Sequence, residues 1–219
     1  MIDLSTYTET DPDSKLTVSS STVTATDIYQ NAGSTTRVSK DYGSSYFDGL
    51  NHNFTAHQTA VDVGSGGFSF VSCSATDFTD GFHGLGVNDV SVGVNDDGGA
   101  VNSRIYLMRG NFASFDGYSN SVWGVSNPYY LNLFRFGGTQ FVDLYIYSDI
   151  GRTTLIDILS INGLTESTTW RWHHAFNHTN QGVNKKDSLY YENFEFFPIG
   201  QRMAKTDYLR RSLFGPKVF

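Results

Sequence analysis

The feature that most constrains this chain is period-two alternation, repeated in short runs and broken by Gly, Asn and Asp. Leu16-Thr17-Val18 and Thr22-Val23-Thr24-Ala25-Thr26 alternate apolar with polar side chains, as half-buried strands must. Phe54 and Ala56, then Val61 and Val63, continue the pattern, followed by Phe68-Ser69-Phe70-Val71 and the turn-rich stretch from Asp77 to Gly86. Val87, Val90, Val92 and Val94 run into Asn95-Asp96-Asp97-Gly98-Gly99. Such Asp-Gly and Gly-Gly pairs accept the positive φ of a tight hairpin, so Ile105-Tyr106-Leu107-Met108 reads as the returning strand. The clearest hairpin joins Tyr129–Phe136 to Phe141–Tyr147 through Gly137-Gly138. In its second arm Val142, Leu144 and Ile146 share the face expected in the core, and Phe141, Asp143, Tyr145 and Tyr147 share a partly wet face. Leu155–Leu159, Trp170–Phe176 and Leu189–Phe197 complete about twelve expected strands.

No run before residue 198 has the i, i+3, i+4, i+7 apolar spacing of an amphipathic helix. The spacing therefore predicts an all-β fold, one antiparallel sandwich or barrel over 1–197. The stretch 198–219 differs. Ala204, Tyr208 and Ser212 fall along one helical line with Leu209 and Leu213 beside it, and Gly215-Pro216 would stop the helix. Its basic residues Arg202, Lys205, Arg210, Arg211 and Lys217 face only Asp207 in the same stretch, whereas the first hundred residues are strongly acidic. A short C-terminal helix or docking tail is expected, with Arg202, Tyr208, Arg210, Arg211, Leu213 and Phe214 as its contacts to a partner, including another copy of this chain.

Composition narrows the function classes. A net charge of −7 argues against a nucleic-acid partner, since phosphate binding draws on Lys and Arg. Aromatic residues make up 15% of the chain, too many for a disordered polymer. The single Cys73 rules out an intramolecular disulfide and reads as a buried thiol. The start, Met1-Ile2-Asp3-Leu4-Ser5-Thr6, has neither the basic nor the apolar part of a signal peptide, and no apolar run is long enough for a membrane span. The expectation is a product made in a cytoplasm, without membrane contact; the sequons at Asn53 and Asn177 then read as chance.

The stretch Tyr130-Leu131-Asn132-Leu133 followed by Asp143-Leu144-Tyr145-Ile146-Tyr147-Ser148-Asp149-Ile150-Gly151-Arg152-Thr153-Thr154-Leu155-Ile156-Asp157 resembles the middle of a concanavalin A-like (laminin-G-like) jelly roll. It is most similar to versions encoded in bacteriophage and environmental viral genomes. Trp170-Arg171-Trp172-His173-His174-Ala175 and Tyr191-Glu192-Asn193-Phe194-Glu195-Phe196 also resemble that pattern, so the likeness spans about residues 15–197. It implies two curved antiparallel sheets packed face to face. Members of the family serve as lectins, glucanases, lyases or structural modules, and the fold does not choose among them.

Catalytic patterns are weak. Glycoside hydrolysis needs two carboxylates about one bond, and the family's glucanases carry them as E-x-D-x-E on one strand, a run missing here. Glu192 and Glu195, three apart, should point to opposite faces of a strand. A polyuronate lyase would want Arg, Gln, His and Tyr on neighbouring strands; Gln140 with Tyr145, or Arg171 with His173, are the nearest sets. No G-x-S-x-G elbow occurs, and no catalytic residue is assigned. His173, His174 and His178 invite a metal, yet neighbouring strand positions face opposite ways, and no protein metal site is assigned. Asp89, Asn95, Asp96 and Asp97 could take calcium through oxygen ligands, although an Asx-rich turn explains the same residues.

Sugars stack on exposed aromatic faces. Trp170 and Trp172 at i, i+2, with His174, are the candidate carbohydrate platform; Trp123 is a further candidate, and core packing is the competing account of all of these rings. The leading expectation is a non-enzymatic structural protein of a bacteriophage virion, a capsid decoration or tail component assembling with other virion proteins and with itself. The alternatives are a lectin-like module for host surface glycan, and a glycan hydrolase or lyase.

Overall fold

The computed structural model describes residues 2–29, 36–62, 67–77, 85–96, 103–110, 115–123, 127–177 and 186–199. Its strands form two seven-stranded sheets. The first orders β1 (Thr8–Thr10), β4 (Arg37–Asp41), β13 (Trp172–Asn177), β6 (Gly67–Ser74), β7 (Val90–Asp96), β8 (Ser103–Arg109) and β9 (Phe115–Trp123). The second orders β12 (Leu155–Ile161), β11 (Val142–Tyr147), β10 (Tyr129–Arg135), β5 (Gly49–Val61), β14 (Lys186–Ile199), β3 (Thr22–Tyr29) and β2 (Leu16–Val18). Each sheet joins strands distant in sequence by antiparallel pairing, as β5 does with both β10 and β14. A single 3₁₀ turn, Leu4–Thr6, capped by the Asp3 carboxylate, precedes β1 among the described residues.

Alternation decides which side chains meet between the sheets. In β11, Val142, Leu144 and Ile146 are buried and the intervening residues are half-buried, as the pattern predicts. Leu131 and Leu133 of β10, Leu50 and Phe54 of β5 and Leu189 and Phe194 of β14 join them; Val38, Val71, Cys73, Val90, Val92 and Leu107 answer from the first sheet. Burying each Leu or Phe contributes ~1.5–3 kcal/mol, which makes this layer the main source of stability. The turn between β10 and β11 uses Gly138 at φ 73, a conformation that a Cβ disfavours.

Two expectations are refined, and a third lies outside what the structure describes. Trp170 lies outside β13 and forms an isolated bridge to Phe47. β14 runs through Pro198 and Ile199, paired with Leu50 and Gly49, two residues beyond the expected end of the sandwich. The tail contacts Arg202, Tyr208, Arg210, Arg211, Leu213 and Phe214, and the helix expected to carry them, lie outside the described residues.

β1, β4 and β9 are strands that the alternation reading did not mark. β4, Arg37-Val38-Ser39-Lys40-Asp41, is held by neighbours on both sides (β1 and β13), so its pairing rather than its own pattern makes it a strand.

Candidate functional site

The solvent face of the second sheet carries a polar and aromatic surface assembled by register. One row across five strands reads Glu195, Asn53, Asn132, Tyr145 and Ile158. The flanking rows read Phe197, Asn51, Phe134, Asp143 and Ser160, and Glu192, Thr55, Tyr130, Tyr147 and Leu155. At ~4.8 Å between strands each row spans about 19 Å. Where the rows meet, Asn51, Asn53, Asn132, Phe134, Tyr145, Tyr147 and Arg152 line a depression of about 330 Å³.

Hydrogen bonds hold its floor. The Asn132 amide nitrogen donates to Asn51 Oδ1 at 2.6 Å and to Asn53 Oδ1 at 2.8 Å. Asn53 in turn donates its amide nitrogen to Glu195 Oε2 at 3.2 Å. This ladder uses both amide protons of Asn132 and leaves its Oδ1 as an acceptor, while Asn51 keeps its donor end. Burial raises the phenol pKa of Tyr145, helped by Asp143 and Tyr147, and burial raises that of Tyr147. Both stay neutral hydroxyls able to give or accept a hydrogen bond.

Arg152 is brought onto this face by the turn between β11 and β12. The Asp149 carboxylate builds the turn, accepting from the Thr153 backbone N–H at 3.0 Å and from its hydroxyl at 3.0 Å. Those bonds lower the Asp149 pKa. Arg152 sits at φ 52, a left-handed conformation uncommon outside Gly, Asn and Asp.

A bulge decides the last member of the face. β14 shifts register between Glu192 and Glu195, with Asn193 at φ 58, so Glu192 lies opposite Thr55 and Glu195 opposite Asn53. The two carboxylates therefore share one face, correcting the expectation that three-residue spacing separates them. The extra residue absorbs one step of the period.

The aromatic platform expected from the sequence is not brought together. Trp170 is fully buried, its indole N–H donating to the Asn88 carbonyl at 2.9 Å and its ring lying under the Arg135 guanidinium at 4.8 Å. His174 is fully buried too, its Nε2 3.2 Å from the Ser74 hydroxyl. Neither offers a ring face to solvent, because the interior takes these large rings first. Trp172 is half-buried, stacked on His174, with the Arg171 guanidinium above it. It belongs to the first sheet, away from the depression. The lyase set Arg171 with His173 is dispersed as well: Arg171 pairs with Asp41, and His173 points into the core.

The acidic cluster splits. Asp89 is buried, with Oδ1 accepting from the Ala75 N–H at 2.9 Å and Oδ2 from the Gly86 N–H at 2.7 Å, so both oxygens already hold loop backbone. Burial pushes its pKa up to about 6. Asp97 lies outside the described residues, as do His178 and the turn between β7 and β8. Among the described residues no three His, Cys, Asp or Glu side chains converge as a metal-ligand set.

No family model matches the chain, and no curated protein sequence does either. Solved structures do. A legume lectin-like domain from Entamoeba histolytica aligns over 90% of this chain and 92% of its own, at 10% identity and TM-score 0.61. Tailspike protein 2 of the Escherichia coli O157:H7 bacteriophage CAB120 aligns over 96% of this chain but 28% of its own, at 11% identity and TM-score 0.54. An alginate lyase from Alteromonas sp. 272 aligns over 88% of this chain and 92% of its own, at 11% identity and TM-score 0.51. Identities this low speak for architecture alone. The two antiparallel seven-stranded sheets and these likenesses establish the fold as a jelly-roll β-sandwich of the concanavalin A-like kind.

Proposed function

We propose that this chain is a carbohydrate-binding module whose site is the depression on the second sheet. The observation that carries the reading is the Asn51–Asn132–Asn53–Glu195 ladder, flanked by Phe134, Tyr145 and Tyr147. Saccharides present hydroxyls that both donate and accept, beside apolar C–H faces. Oriented amides meet the first and aromatic rings the second. The name of the Entamoeba likeness, a legume lectin-like domain, supports the reading. The amide, phenol and guanidinium groups of the lining can meet a sugar directly, so binding without a bridging cation is the expectation. A glycan array followed by calorimetric titration tests this. Binding that is lost in Asn132→Ala and unchanged by EDTA is expected; no binding across the array overturns it.

The likeness to a bacteriophage tailspike, which covers nearly all of this chain, favours a second, compatible reading. In it the module is a structural part of a virion, made in the host cytoplasm, and assembles with other virion proteins and with itself through residues 198–219. Mass spectrometry of purified particles checks it, with loss of the chain from particles expected on removing 200–219. The module binds without turnover on this reading. Release of shortened oligosaccharides from any array member that binds would instead assign an enzyme.

A further inference from the structure

We propose that the ligand of the depression is an acidic saccharide, with Arg152 taking its carboxylate; this deepens the carbohydrate reading and rests on it. Three observations at one residue lead there. Arg152 lines the depression, and its guanidinium Nε is shielded from solvent without a hydrogen-bond acceptor. Its charge is partly desolvated, and burial holds its pKa below the ordinary guanidinium value, with the charge of Glu195 foremost among the groups opposing that shift. Its backbone sits at φ 52, a left-handed conformation that a residue with a Cβ rarely adopts.

A structural arginine behaves differently in this same molecule. Arg135 is fully buried and spends its protons on the carbonyls of Thr139, Thr165 and Thr168. Arg171 and Arg37 pair with Asp41 and Asp77. Arg152 is held in a left-handed turn by the Asp149 clamp, and its guanidinium donates to none of the described residues. With Nε shielded, the paired Nη groups at the end of the guanidinium are the fork that takes a carboxylate end-on, and a desolvated guanidinium favours such a charge-assisted pair over a neutral hydroxyl. The amide ladder then addresses the hydroxyls of the same sugar ring.

The test is titration of the full chain with short oligouronates (galacturonate, mannuronate and guluronate) and with their methyl esters, which keep the ring hydroxyls and remove the charge. At least one oligouronate should bind, with its ester roughly tenfold weaker or worse, and raised salt should weaken only the acid. Arg152→Asn should abolish this preference, while Arg152→Lys keeps part of it. Asn accepts the left-handed backbone, so the unfolding midpoint of Arg152→Asn should equal or exceed that of the parent. Equal binding of acid and ester, or unaltered acid binding by Arg152→Asn, overturns the inference and leaves a neutral-sugar site. Binding of neither panel, together with a blank array, overturns the carbohydrate reading itself.

Discussion

His173 of the first sheet meets His52 of the second across the core, Nε2 to Nδ1 at 3.3 Å. The chain continues from His173 Nδ1 to the Tyr7 hydroxyl at 2.8 Å and on to Tyr42 at 3.2 Å, while His52 Nε2 is left without a partner. A polar thread thus runs through an otherwise apolar layer and ties the two sheets at one place.

That thread makes the fold acid-sensitive. Burial lowers the pKa of His52, with His173 adding to the effect, and it lowers that of His173 to about 3; His174 is lowered by burial as well. Unfolded histidines take up protons below about 6.5, and the native ones do not. Stability is therefore complete above that value and falls as pH drops from ~6.5 toward 3, by up to ~1.4 kcal/mol per pH unit for each histidine. Asp89, raised to about 6, acts in the opposite sense below pH 6, but it is one group against three. Thermal unfolding between pH 7 and pH 4 should show a steep fall in midpoint, shallower in His52→Phe. A flat profile would contradict the burial of these rings.

Arg135 holds three carbonyls of the connections on either side of β11 and β12, those of Thr139, Thr165 and Thr168, and it covers Trp170. Arg135→Met keeps much of the side-chain volume but leaves those acceptors unpaired and Asp48 without its cation. A loss of about 3 kcal/mol is expected in denaturant unfolding.

Asn132 and Trp172 separate the observed site from the expected one. Asn132→Ala breaks the ladder at its centre and should weaken saccharide binding roughly tenfold or more, the scale set by losing hydrogen bonds of ~1 kcal/mol each at both neighbours. Trp172→Ala lies on the other sheet and should leave the affinity within twofold or so of the parent. Calorimetry of the two variants decides between the depression and the tryptophan platform.

Gly137 passes close to a buried carboxylate. A Cβ there would stand 2.6 Å from Asp48 Oδ1 and 2.8 Å from its Cγ. Asp48 is itself buried, so it has little room to move. Gly137→Ala should cost about 1–3 kcal/mol, read as a lower denaturation midpoint.

The β10–β11 hairpin was legible because its arms alternate without interruption and Gly137-Gly138 marks the turn. The buried Cys73 was legible from its apolar run. Other elements gave no such signal. β4 has only Val38 as an apolar anchor, and the Glu192–Glu195 bulge shows only as an Asn at position 193, a residue that tolerates φ 58. The tryptophans misled because large aromatic rings serve cores and sugar platforms alike, and here Trp170 fills the core beside Phe47 and under Arg135. Arg152 stood in the sequence as one residue of a short loop; nothing local tells that Asp149 folds it onto the sheet.

The amino-acid order alone determined the layered all-β architecture and most of what fills it, because the two-residue period of a strand is a local property that sorts side chains to opposite faces. Which polar residues stand side by side was decided by tertiary structure. Asn53, Asn132 and Glu195 come from strands far apart in the chain, and their alignment depends on antiparallel register and one bulge, set by how the buried faces interlock.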